Sequence, residues 1–321
     1  MVFQPQARPA KPTDLASGAD AQNANAASPL RSLSYDEQVK KLAPAPKPDK
    51  APEKKAEPVD LADPKLREKH QDGSLEYKRY AGDLFVNGVS PEDVQQGSIA
   101  DCYLMAAMAA TASAHPELIT AAFKPAGDGA WSVRFFESTG KQGEYKENWV
   151  KVDADLATAK GKDSPAYGRS ADKNARGREL WPSIMEKAYA QWKRGYDKMG
   201  EGGSSVAAME ALTGRPATSV GMSYTPEDRV WKKLVTAFKN GKAITAGTHG
   251  KDRQELYEGK RLYAWHAYTV LKVREDGKER FVTLRNPWGS SEPGEDGKDD
   301  GIFELSLADF MKYYSSANLE S

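Results

Sequence analysis

The stretch QGSIADCYLMAA, Gln96 to Ala107, holds the only cysteine of 321 residues, Cys102. A thiol is a strong nucleophile only as thiolate, and an imidazole or the field at a helix amino terminus lowers its pKa from about 8.5. The residues after Cys102 are Ala, Leu and Met, good helix formers, and Gly97 supplies a turn before them, so Cys102 is expected at a helix amino terminus. Four histidines are candidate bases. His70 lies in a polar entry segment, His115 precedes Pro116, and His249 precedes Gly250 at the end of a strand-like run; each has an ordinary exposed or capping role. His266 opens the strand-like HAYTVLKV, and Asn286 ends the next strand, in LRNPWG, so antiparallel pairing would bring amide and imidazole together. An amide oxygen can accept the ring N–H and hold its tautomer without adding a second charge. Gln96 offers a side-chain N–H that, with the Cys102 backbone N–H, could stabilise an oxyanion. Singly, these are a small buried hydrophobe, a structural histidine and a turn-closing asparagine. Together and in this order they spell nucleophile, base, orienter and oxyanion donor.

The bulk composition is compatible with an enzyme of that kind. Lys plus Arg and Asp plus Glu both total 46, so no overall basic surface points to nucleic acid as a partner. One cysteine forms no internal disulfide and no multi-cysteine zinc site. The amino terminus lacks the apolar segment of a signal peptide, and LMAAMAATASA falls short of the roughly 20 residues that span a bilayer. The expected location is the cytoplasm, or outside the cell by a route that needs no signal peptide.

Positioning these residues requires two lobes. Residues 1–75 are rich in Ala, Pro and Lys, with KLAPAPKPDKAPEKKAEP leaning to polyproline II, and read as a disordered arm that is a candidate for binding a delivery or regulatory partner. Residues 76–215 make a first lobe with the Cys102 helix, a hairpin from AWSVRFFE and NWVKVDADL, and helices at LWPSIMEKAYAQWKR and SSVAAMEALTG. Residues 216–321 make a second lobe, mostly antiparallel strand, after one helix that Thr225 would cap with Pro226 in its first turn. The fold class is α+β.

At this point the sequence resembles a known family. LFVNGVSPEDVQQGSIADCYLMAA, WVKVDADL, LWPSIMEKAYAQ, HAYTVLKV, LRNPWG and DGIFELSLADFMKYY, in that order, are similar to the calpain family of papain-like cysteine proteases, in particular its compact bacterial members. The resemblance implies a two-lobed papain-like core with Cys102, His266 and Asn286 as catalytic residues and Gln96 in the oxyanion hole. It implies that Gly202, Gly203 and Ser204 line the substrate cleft, that Trp288 shields the site, and that Trp265, which replaces a family glycine, narrows the cleft beside His266. Protein or peptide substrates, cleaved through a thioester, follow from it, with no organic cofactor.

The family's calcium positions fall on Val86, Gly88, Asp93 and Glu186 in the first lobe. In the second lobe Glu292 and Asp300 match, but Ile302 stands where the family has an acid. DGKDDG is no EF-hand, since Lys298 and Leu307 would fall on ligand positions. Ala100 and Tyr103 also depart from the family's glycine and tryptophan. Two alternatives stay open: a protein-binding module with weakened catalysis, and an acyl transferase or deamidase using the same thioester.

Overall fold

Two sets of apolar side chains collect into separate cores, one around Leu104, Met108, Phe135, Trp181, Ile184 and Met209, the other around Trp231, Leu234, Tyr268, Leu284, Phe303 and Phe310. The computed structural model describes residues 59–127, 129–294 and 297–321. The expected arm falls largely on residues 1–58, outside the described residues.

The first core contains β1 (Leu75–Arg79), α1 (Cys102–Ala114), α2 (Pro116–Ala121), β2 (Phe123–Pro125), β3 (Ala130–Ser138), β4 (Tyr145–Asp153), β5 (Asp155–Ala159), the short β6 (Lys173–Asn174) and β7 (Gly177–Arg178), α3 (Trp181–Trp192), α4 (Tyr196–Met199) and α5 (Ser205–Thr213). Every residue from Tyr103 to Ala112 is buried, as expected for a helix apolar on all sides, so α1 runs through the interior rather than over it. Ser204 caps α5 through its hydroxyl, and Gly214 ends it in the left-handed region, φ 68°.

The second core is built on a six-stranded antiparallel sheet, in the order β12-β11-β10-β9-β13-β8, from β8 (Ala217–Gly221), β9 (Ile244–Thr248), β10 (Ala267–Asp276), β11 (Glu279–Arg285), β12 (Ile302–Ser306) and β13 (Tyr314–Glu320). The helices α6 (Glu227–Lys239) and α7 (Leu307–Tyr313) accompany it. The EDGK turn joins β10 to β11, with Gly277 at φ 60°. The helix expected to be capped by Thr225 has Pro226 at its N-cap and no side-chain capping bond, because proline itself ends the extended segment there.

Part of the segment expected to belong to the arm is not free chain. From Val59 to Lys65 it lies against the first lobe: Val59 O accepts from Arg79, Leu61 N–H donates to Asp153, Asp63 pairs with Lys187, and Lys65 O accepts from Tyr196 N–H. The apolar content is low, as the sequence indicates, but backbone groups and a buried lysine supply the contacts instead. Among the described residues no helix is long and apolar enough to cross a membrane.

The two cores are tied at Glu320, which is 3% exposed. Its carboxylate accepts from His115 Nε2 at 2.7 Å, Arg215 Nη1 at 2.7 Å and the Ala243 N–H at 3.0 Å. His115 thus sits at the end of α1 as expected, but its ring is engaged in a buried pair rather than exposed. Burial alone would raise the Glu320 carboxyl; the bonds from His115, Ala243 and Arg215 outweigh it and hold it down to about 2. A depressed carboxyl stabilises the fold above its unfolded pKa of about 4.3 and loses that contribution as pH falls toward the folded value. Glu320→Gln is therefore expected to cost about 2 kcal/mol in urea unfolding at pH 7, allowing for partial solvent screening of the Arg215 pair. The deficit should shrink as pH drops below about 4; a deficit independent of pH would contradict this assignment.

Candidate active site

The hairpin of β10 and β11 pairs Thr269 with Arg285 across the strands. His266, just before β10, and Asn286, just after β11, therefore meet: His266 Nε2 lies 3.0 Å from Asn286 Oδ1. The amide orientation is fixed from two other sides, since Oδ1 also accepts from Trp288 N–H and Nδ2 donates to Ser291 O. An oxygen facing the ring means that Nε2 carries the proton. In the neutral imidazole Nδ1 is then the free base. Asn286 is fully buried, and Trp288 covers the imidazole with ring centroids 4.7 Å apart.

Cys102 is the first residue of α1, half-buried, on the wall of a cleft of about 620 Å³ that His266, Gln96, Trp265 and Trp288 also line. Burial pushes the Cys102 thiol up to about 11, and burial pulls His266 down to about 4 although the Asn286 bond favours its charged form. In this conformation both groups rest neutral at pH 7. Gln96 Nε2 donates to Ile99 O at 2.7 Å, and the same amide neighbours the Asp101 carboxyl.

Gly202, Gly203 and Ser204 line the same cleft. A Cβ on Gly203 would stand 2.6 Å from the Tyr103 ring, so only glycine fits above that tyrosine. Trp265 reaches across from the second lobe. It holds φ at 54°, costly for a bulky side chain, is 48% exposed, and brings its ring to 3.1 Å from where a Gly202 Cβ would be.

Acidic groups gather elsewhere. Carboxylate oxygens of Asp93, Asp172 and Glu179 lie within 4.8 Å of one another. Asp93 is held by a capping box with Ser90 and by Trp181 Nε1, and Glu179 accepts from Val86 N–H and Ser170. Burial pushes Asp93 up to about 6 and Glu179 up to about 7, with repulsion from Asp172 adding to both. A second cluster, Asp60, Asp153 and Asp155, is already neutralised by Lys187 and Arg79.

Compared with known sequences, residues 73–295 match the profile described as calpain family cysteine protease. The chain belongs to the calpain family. It is 32% identical over 218 residues to the calpain-type cysteine protease ADL1 of Oryza sativa, covering 64% of this chain and 9% of that protein. It is 27% identical over 265 residues to calpain-9 of Mus musculus, covering 74% of this chain and 37% of that protein. The chain thus spans well under half the length of these curated relatives.

Within this calpain core the metal positions read from sequence need correction. Glu186 is not with Asp93: it is buried on α3, accepts from Gly168 N–H and faces the buried carboxyl of Asp101, and burial with that neighbour pushes it well above the usual carboxylate range. Glu179, two residues before α3, takes the place beside Asp93, and Asp172 joins it; neither was singled out from the sequence. Val86 donates its N–H to Glu179 of the cluster, and Gly88, two residues on, turns the chain at φ 99°. In the second lobe Glu292 accepts from Gly301 N–H and Asp300 from Ile302 N–H, and among the described residues no third acid joins them.

Proposed function

We propose that this calpain-family core is a cysteine endopeptidase, with Cys102 as nucleophile, His266 as base and then acid, Asn286 as orienter and Gln96 as oxyanion donor. The observation that carries the reading is the His266 Nε2 to Asn286 Oδ1 bond of 3.0 Å, which leaves Nδ1 as the free base in the cleft that holds the only cysteine.

In the first step His266 Nδ1 takes the Cys102 proton as sulfur bonds to the scissile carbonyl carbon. The carbonyl oxygen becomes an oxyanion, stabilised by the Cys102 N–H and a Gln96 amide proton; losing one such donor typically costs about 3 kcal/mol. The C–N bond then breaks, the leaving amine takes the proton from His266, and a thioester remains. Water attacks that carbonyl while His266 again accepts a proton. The C–S bond breaks, the acid product leaves and the thiol is restored. Trp288 and the buried setting of Asn286 keep bulk water from the imidazole.

The test is the product. Wild-type protein is expected to convert an unfolded protein substrate into two or more shorter chains, and Cys102→Ala to convert none at an unchanged melting temperature. Intact but mass-shifted substrate would instead indicate transfer or deamidation, and turnover by a clean Cys102→Ala preparation would sink the reading.

Calcium fits the Asp93, Asp172 and Glu179 cluster, whose buried carboxylates repel one another and offer the hard oxygens that cation prefers. Bound there, it would supply charge neutralisation that draws the Pro91–Asp93 turn toward the chain entering α3. Asp93→Asn with Glu179→Gln is expected to raise the melting temperature in chelator, because the repulsion is gone, and to abolish any increase on adding calcium. Equal calcium-induced shifts in both proteins would remove the cluster from consideration.

A further inference from the structure

The Gly202–Ser204 wall has a second face. Behind it lies a pocket of about 370 Å³ that shares Tyr103, Gly203 and Ser204 with the cleft and is otherwise lined by Tyr189, Met199, Ala207, Lys193, Arg194 and Lys198. Its floor is aromatic and its rim is basic. On the cleft side of the same wall stand two more cations, Arg67 and Lys69.

Little in the fold neutralises this group. Among the described residues Arg67, Lys69, Lys193 and Arg194 form no ion pair. Lys198 meets Glu201 at 3.6 Å, but both side chains are more than 60% exposed, and such pairs are weak. The other nearby acids are otherwise occupied or distant: Asp197 accepts from Glu68 N–H, and Glu137 acts on Lys193 only through space. Lys193 is held by stacking, its ammonium 3.4 Å from the Trp192 ring centroid and 5.3 Å from that of Tyr189, and its partial desolvation disfavours the charge it carries. Arg67 has a buried Nε with no partner.

Arg194 adds a conformational argument. It stands in the left-handed region, φ 67°, where a side chain is disfavoured and glycine is not. The fold keeps a charged residue in a strained position at the pocket rim, next to a lysine that lacks a counter-charge.

We propose that this pocket is an anion-accepting subsite of the cleft, in which Lys193, Arg194 and Lys198 receive the carboxylate of an Asp or Glu in a bound peptide. The subsite rests on the peptidase reading for its role in selecting substrates, but not for its binding chemistry. A peptide lying extended along Gly202–Ser204 projects alternate side chains to opposite sides, and one that reaches past the edge of this wall would meet the basic rim. Carboxylate entry would satisfy cations that the fold leaves without counter-charge.

The experiment uses full-length Cys102→Ala protein and a positional library of fluorescent hexapeptides in which each position in turn holds Asp, Glu, Asn or Gln. At one position the acids are expected to bind about fivefold or more tighter than their amides at low salt, with the ratio falling as salt screens the rim. Lys193→Gln with Arg194→Gln should bring that ratio to about one, and Lys193→Glu with Arg194→Glu should invert it in favour of basic peptides. Melting curves confirm that each variant folds.

Equal binding of acids and amides at every position would overturn the subsite, as would an acid preference that survives both substitutions. If the basic residues serve only the end of α3, the variants lose thermal stability and wild type shows no acid preference. Acid-selective binding by an active-cysteine protein that cleaves nothing would keep the subsite and reject the peptidase. Cleavage without acid preference would do the reverse.

Discussion

Replacing His266 by alanine is expected to lower kcat/KM for a peptide substrate by at least about 10³-fold, with the loss in kcat. The size follows from the resting state. Burial holds the thiol up to about 11, so at neutral pH almost no thiolate exists without a base beside it. His266 is uncharged at that pH and donates Nε2–H to Asn286, which leaves Nδ1 as the one basic nitrogen of the pair. Residues that act as a unit are not additive, so Cys102→Ala combined with His266→Ala should be little worse than either alone. Independent, multiplying losses would show that the two do not share a proton.

Asn286→Ala is expected to reduce kcat by about 10²-fold and stability by about 2–3 kcal/mol. Removing the amide strips the acceptor from both His266 Nε2–H and Trp288 N–H in a fully buried place, and takes the donor from Ser291 O. Without Oδ1 the imidazole is free to rotate or to place its proton on Nδ1, where it can no longer act as base. The split between constants separates this from a packing defect: KM should change little while kcat falls. Asn286→Asp keeps an acceptor and should retain more activity than alanine. An alanine variant with normal kcat would remove Asn286 from the mechanism.

The parts of the site that could be read from sequence were those set by local order. Cys102 at a helix start follows from the run of helix formers after it, and the His266 and Asn286 meeting follows from two consecutive strands joined by EDGK. The Asp93, Asp172 and Glu179 cluster could not be read that way: Asp172 and Glu179 flank the β6–β7 hairpin and meet through Glu179 N–H to Asp172 O, but Asp93 comes from the distant Pro91–Asp93 turn, whose approach depends on its packing against Trp181. Glu186 was assigned as a ligand from its match to a family position; its burial against Asp101 is a tertiary fact. The same holds for the chain from Val59 to Lys65, whose composition suggests a tether but whose backbone groups find partners on the first lobe. His115 shows the limit from the other side: its capping position was legible, its hydrogen bond with Glu320 205 residues away was not.

The most direct test of the central claim is the rate at which an epoxide cysteine-protease probe adds to Cys102, followed by intact mass with calcium and with chelator. The expected result is one adduct, on Cys102, formed far faster than on a small-molecule thiol at the same pH and lost in His266→Ala. Faster labelling with calcium than with chelator would add the metal cluster to the mechanism, and equal rates would keep the nucleophile and discard the switch. No adduct in either condition, or one formed equally fast in His266→Ala, would contradict an imidazole-activated cysteine.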